Sequence, residues 1–155
     1  MPKYLLFLVA LVWTGTVSYF CLVSSNEIPS IDIPGLDKAV HIVFHAALTF
    51  FWFLFFSKHL KIDAIFKPLI FSVVFSFVFG ITIEILQQLV TTTRSADVLD
   101  VLANTTGAIL AVFVVVICNK LKVLDLILNR YCPLRWVLFV MILSHVTQIL
   151  KFFDV

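Results

Sequence analysis

Charge is what this chain has least of. Asp, Glu, Lys and Arg make up 13% of its 155 residues, about half the share of an ordinary soluble domain, and the formal net charge is only +2. A balance this small gives no reason to expect nucleic acid or another anionic partner. Cysteine is also scarce. Cys21 lies in the first apolar run, Cys118 at the end of another and Cys132 in a basic segment. They form neither a disulfide framework nor a metal knuckle and read as packing residues. What is abundant is apolar: 62% of the residues are hydrophobic, 17 are Phe, and the mean hydropathy is +1.12. A core of this size cannot hide that much apolar surface from water, so the missing solvent must be lipid. A soluble enzyme and a disordered tail are thereby excluded.

The runs themselves predict an all-α, polytopic membrane helix bundle forming a single domain over residues 1–155. Apolar stretches at Tyr4–Ser24, about Ala39–Ser57, Pro68–Leu89 and Val98–Cys118 each reach the roughly 20 residues that a helix needs to cross the hydrocarbon core. Helix is required because a lone strand would leave unpaired amides in lipid. Trp136–Phe153 is shorter and contains Ser144, His145 and Gln148; it is either a fifth, C-terminal span, the favoured reading, or an interfacial helix. The first run exceeds a signal-peptide apolar region, no small-x-small site follows it, and Phe20 spoils a lipoprotein box at Cys21, so it is expected to stay as a span.

The basic residues set the expected orientation. Lys3, Lys58, Lys61, Lys67, Lys120, Lys122, Arg130 and Arg135 share one side, eight of the eleven, while Lys38 and Arg94 lie on the other, with Lys151 if the fifth span exists. The N-terminus is therefore expected in the cytoplasm and the loops 25–36 and 90–97 outside. Ala103, Gly107 and Ala111 recur every four residues and give the fourth span a smooth strip for close helix approach; Gly80 is read the same way in the third.

Against this apolar ground, the ionisable residues near the outer boundary stand out, because a charge facing lipid costs at least a few kcal/mol and must find company. Asp37, His41 and His45 stack along one face of the second helix, with Lys38 at its entry. Glu84 lies inside the third span, with Gln87 and Gln88 one turn outward; Arg94 follows in the loop, and Asp97, Asp100 and Asn104 share a face of the fourth. Duller roles compete with a functional one. Asp37 and Asp97 begin helices, where an acidic side chain caps free amides. His41 and His45 suit a satisfied bundle interior, His45 the more so because it lies about 12 Å beyond Asp37. Glu84 could pair with Arg94, and Asn104 could bond between helices.

Two outward helix N-termini with Lys38 and Arg94 favour a phosphate or carboxylate, yet Asp37, Glu84, Asp97 and Asp100 outnumber those cations. The mixture suits a zwitterionic headgroup, or a phosphate bridged by a divalent cation. A His41/His45 pair with a carboxylate could hold zinc, but no HExxH is present, so no metal site or cofactor is expected and a divalent cation stays an option.

In order and spacing, three pieces resemble the VanZ-like family of small bacterial membrane proteins: Asp37-Lys38-Ala39-Val40-His41, Glu84-Ile85-Leu86-Gln87, and Arg94 leading into Asp97, Asp100, Asn104 and Gly107. The likeness covers about residues 30–118; Ala111 stands where a second Gly often follows. It implies a multi-pass protein of the bacterial cytoplasmic (inner) membrane and, through the founding member, a link to resistance against the lipoglycopeptide teicoplanin.

The leading expectation is a non-enzymatic envelope protein. It would bind a lipid-linked or amphiphilic headgroup through Asp37, Lys38, His41, Glu84, Gln87, Arg94, Asp97, Asp100 and Asn104. The partner would be a membrane lipid or lipid-linked envelope precursor, with self-association as a further option. The alternative is a membrane enzyme acting on a lipid phosphate, with Glu84 or His41 as general base and Asp100 as a further catalytic candidate; no activated Ser or Cys accompanies them. Transport ranks last, because the inner halves of the spans read as almost wholly apolar.

Overall fold

In lipid every backbone amide must be paired within its own segment, which is why apolar runs of this length become helices. The computed structural model describes residues 2–23, 35–60, 65–91 and 96–129. Within them lie α1 (Lys3–Leu22), α2 (Leu36–His59), α3 (Phe66–Val90), α4 (Val98–Lys120) and a short α5 (Val123–Asn129), with no strand among the described residues. α1 to α4 are long and apolar enough to cross a membrane, as the sequence predicts, and their ends fall within three residues of the expected bounds. α5 was not foreseen. The proposed fifth span, Trp136–Phe153, lies outside the described residues, as do Arg94 and Cys132.

The helix starts have local causes. α2 begins from Gly35, whose φ of 78° is left-handed backbone that a missing Cβ makes free of strain. Gly35 takes the capping position, so Asp37 does not occupy the cap but falls in the first turn, where its charge still complements the free amides. Asp97 does cap: its Oδ1 accepts the Leu99 N–H at 2.8 Å. Pro68 stands in the first turn of α3, where its missing N–H leaves no gap in the ladder.

α2 sits at the centre and packs on α1, α3 and, most extensively, α4. The small-residue strip explains the last contact. Ala103, Gly107 and Ala111 are buried, and a Cβ at 107 would collide with the Ile42 carbonyl oxygen of α2 and lie 3.0 Å from the Ala46 nitrogen. Gly80 works differently from the expectation. A Cβ there would lie 3.1 Å from His45 Cε1 and 3.2 Å from Asn104 Nδ2, so it makes room for polar side chains of α2 and α4, not for a helix backbone.

Elsewhere the interior is aromatic and aliphatic. Trp52 and Phe75 meet with ring centroids 4.2 Å apart, within a cluster that includes Leu6, Leu48, Phe53 and Val115. Both indole donors among the described residues are satisfied, Trp13 to the Phe44 carbonyl and Trp52 to Thr14 Oγ1, each at 3.1 Å. Tyr4, Phe66, Leu89 and Phe113 are exposed on the outside of the bundle, as lipid-facing residues would be. One reading is corrected here: Thr49 of α2 and Ser72 and Ser76 of α3 are fully buried, so the interior beyond His45 is not wholly apolar.

Candidate functional site

The polar residues collect at the end of the bundle where α2 and α4 begin and α1 and α3 finish. Three helices supply them. α2 contributes Asp37, Lys38 and His41 from its first two turns, α3 contributes Glu84 from its last two turns, and α4 contributes Asp100 and Asn104 behind the Asp97 cap.

Lys38 is the hub of the rim. Its Nζ lies 3.0 Å from Asp97 Oδ2, 3.0 Å from Asp100 Oδ1 and 3.6 Å from Asp37 Oδ2. One half-exposed ammonium thus ties the start of α2 to the start of α4. Asp97 answers both partners: the Leu99 amide first and the Lys38 ammonium second hold its carboxyl below the ordinary Asp value of 3.8. Glu84 reaches across from α3, its Oε2 accepting the Asp97 backbone N–H at 3.4 Å. Its expected partner Arg94 is outside the described residues; among those described, Glu84 is bonded by the amide of the α4 cap, Asp97.

Below the rim the cluster is buried. His41, Glu84, Asp100 and Asn104 are each at most 6% exposed. His41 Nδ1 bonds Asn104 Oδ1 at 3.0 Å; a carbonyl oxygen can only accept, so Nδ1 carries the hydrogen. Nε2 then faces Asp37 Oδ1 at 3.8 Å and Asp100 Oδ2 at 3.9 Å, beyond hydrogen-bond reach of either. Glu84 Oε1 lies 4.0 Å from His41 Nδ1 and has no hydrogen-bond partner; Asn104 Nδ2 has none either. A half-satisfied polar cluster in a low-dielectric interior is costly, and such groups call for an explanation.

The remaining candidates separate from this cluster. Gln87 is buried and gives an N–H to the Cys21 carbonyl at 2.8 Å, which fastens α3 to the end of α1. His45 is fully buried, with Nδ1 2.9 Å from Ser76 Oγ, so its ring does not join His41 around a common ion; that pairing is set aside. The residues that sequence reasoning missed, Thr49, Ser72 and Ser76, continue the polar row inward, and their signal was the four-residue spacing from His45 and from Gly80.

Four carboxyl groups, those of Asp37, Glu84, Asp97 and Asp100, therefore gather here, and the first, third and fourth share one described ammonium, that of Lys38. Chemically this end can receive a cation or an amine, and it can orient a ligand by hydrogen bonds from three helices.

A family model described as VanZ/LLP1 matches residues 3–119, which takes in α1 to α4 and the whole cluster. No curated protein and no solved structure matches the chain.

Proposed function

Starting from the fact that this chain belongs to the VanZ/LLP1 family, we propose that it is a multi-pass protein of a bacterial cytoplasmic membrane that binds the headgroup of a lipid or lipid-linked envelope precursor. The basic residues favour an orientation that turns the cluster to the outer face. The observation that carries the reading is the gathering of Asp37, Lys38, His41, Glu84, Asp100 and Asn104 at one end of an otherwise apolar bundle. Groups so costly to hold in a membrane are functional candidates by default.

The charge arrangement refines the ligand. Lys38 is taken up by Asp97 and Asp100, so the anionic part of a headgroup falls to Arg94 from the loop or to a bridging cation. An amine would suit the excess of carboxylates directly. Involvement in teicoplanin resistance is the finer proposal, and deletion with scoring of teicoplanin susceptibility addresses it in cells.

Native mass spectrometry of the full chain released from gentle detergent tests headgroup binding. A phosphate-bearing lipid should stay bound to the wild type and be lost from Arg94→Ala, with the fold retained. A clean apo mass in both proteins would overturn the reading and leave the cluster as an ion network between helices.

A further inference from the structure

We infer that Asp37, His41 and Asp100 form a site for one divalent transition-metal ion, with coordination positions left open toward the end of the bundle. The inference deepens the headgroup reading and rests on it only for what fills those open positions.

The geometry is a convergence of lone pairs. His41 Nε2, Asp37 Oδ1 and Asp100 Oδ2 face one another at 3.8 and 3.9 Å from the imidazole nitrogen, all within 4.8 Å of one another, and no hydrogen bond joins them. The hydrogen at Nδ1 is engaged by Asn104, so in the neutral ring Nε2 offers a lone pair to two carboxylate oxygens. That is an electron-rich trio whose one neighbouring cation, Lys38, sits on the far oxygens of the two carboxylates. Ligands around a tetrahedral ion at ~2.0–2.1 Å stand about 3.3–3.4 Å apart, so each carboxylate must close on the imidazole nitrogen by about half an ångström, and the two carboxylates on each other by up to about 1.5 Å.

The neighbours fit the same reading. Lys38 holds the opposite oxygens, Asp37 Oδ2 and Asp100 Oδ1, and so turns Oδ1 of Asp37 and Oδ2 of Asp100 toward His41. Asn104 plays the positioning part that outer partners of metal-bound histidines play elsewhere. A second, independent observation is an unpartnered buried carboxyl oxygen beside the same ring: Glu84 Oε1, on a side chain only 3% exposed, lies 4.0 Å from His41 Nδ1 and has no hydrogen-bond partner. An ion at the trio would offset that buried carboxyl group by its charge, across the imidazole ring and without binding it. One imidazole nitrogen with two carboxylate oxygens suits Mn2+, Fe2+ or Zn2+, whereas Mg2+ and Ca2+ prefer oxygen alone.

The test uses full-length protein in mild detergent, stripped with a chelator and titrated with Mn2+ alone under electron paramagnetic resonance. Saturable binding of about one ion per chain is expected, with the nitrogen modulation of a directly bound imidazole. His41→Gln should abolish that modulation, Asp37→Asn should weaken binding at least tenfold, and Asn104→Ala by roughly 10–100-fold. Asp37 is exposed and does not occupy the helix cap, so Asp37→Asn carries the test even where His41→Gln fails to fold. No saturable binding, or equal affinity in wild type, His41→Gln and Asp37→Asn, overturns the site. Lipid retention, measured in parallel, separates the two readings. Lipid held without Mn2+ binding overturns the metal site alone, and Mn2+ bound without lipid supports the metal site and overturns the headgroup reading.

Discussion

Asp97 shows how much one side chain at a helix entry can hold together. It gives one oxygen to the Leu99 amide and the other to Lys38, and both partners favour its charged form. Its native pKa therefore lies below 3.8, so its contribution to stability is complete above the unfolded value and lost as pH falls through the native one. Asp97→Ala should melt below the wild type in detergent at neutral pH. The gap should hold down to about pH 5 and close under more acid conditions. Asp97→Asn should fall between the two, because Asn caps a helix as well as Asp but cannot pair with the Lys38 charge. Thermal midpoints across that pH range decide it, and a gap that does not change with pH would count against the ion pair.

At the scale of elements, the contact that defines the bundle is Gly107 of α4 against the backbone of α2. Gly107→Val forces those backbones apart and should cost about 1–3 kcal/mol or more, the usual range for overpacking. Gly15→Ala is the control. Nothing lies within 4 Å of a Cβ there, so it should be neutral or gain up to about 1 kcal/mol from helix propensity. Denaturant titration of both variants in mixed micelles reads the difference.

These same elements show what a sequence can and cannot reveal. The four spans were legible because lipid imposes both a length and a composition, and the small strip at 103, 107 and 111 was legible because close approach tolerates little else. The site was legible as a set of charges too costly for lipid. What stayed hidden was geometric. Nothing in the residue order says that Gly35 takes the cap and releases Asp37, that Lys38 folds back onto α4, or that Gln87 bonds a backbone carbonyl of α1. The inward polar row was present in the spacing of Thr49 and of Ser72 and Ser76, but Ser and Thr can bond their own helix and so pass for neutral residues in a span.

For the molecule as a whole, the proposed orientation has a direct check. With Cys21, Cys118 and Cys132 replaced by Ser, a cysteine at Val98 (Val98→Cys) should react on intact cells with a membrane-impermeant maleimide. One at Leu121 (Leu121→Cys), at the opposite end of α4, should react only after permeabilisation; both residues are exposed. The reverse pattern would turn the cluster to the cytoplasm and with it the class of headgroup it could meet.

The ties from Lys38 to Asp97 and from His41 to Asn104 join residues 59 and 63 positions apart. That makes the cluster a latch as well as a site. During synthesis α2 precedes α3 and α4, so Asp37, Lys38 and His41 wait without these partners until the last long helix of the described chain has docked. A ligand seated there would bolt that helix in place. Drawn out of the bundle from its Asp97 end, α4 would resist first at the bolt, so occupancy would be felt as mechanical strength.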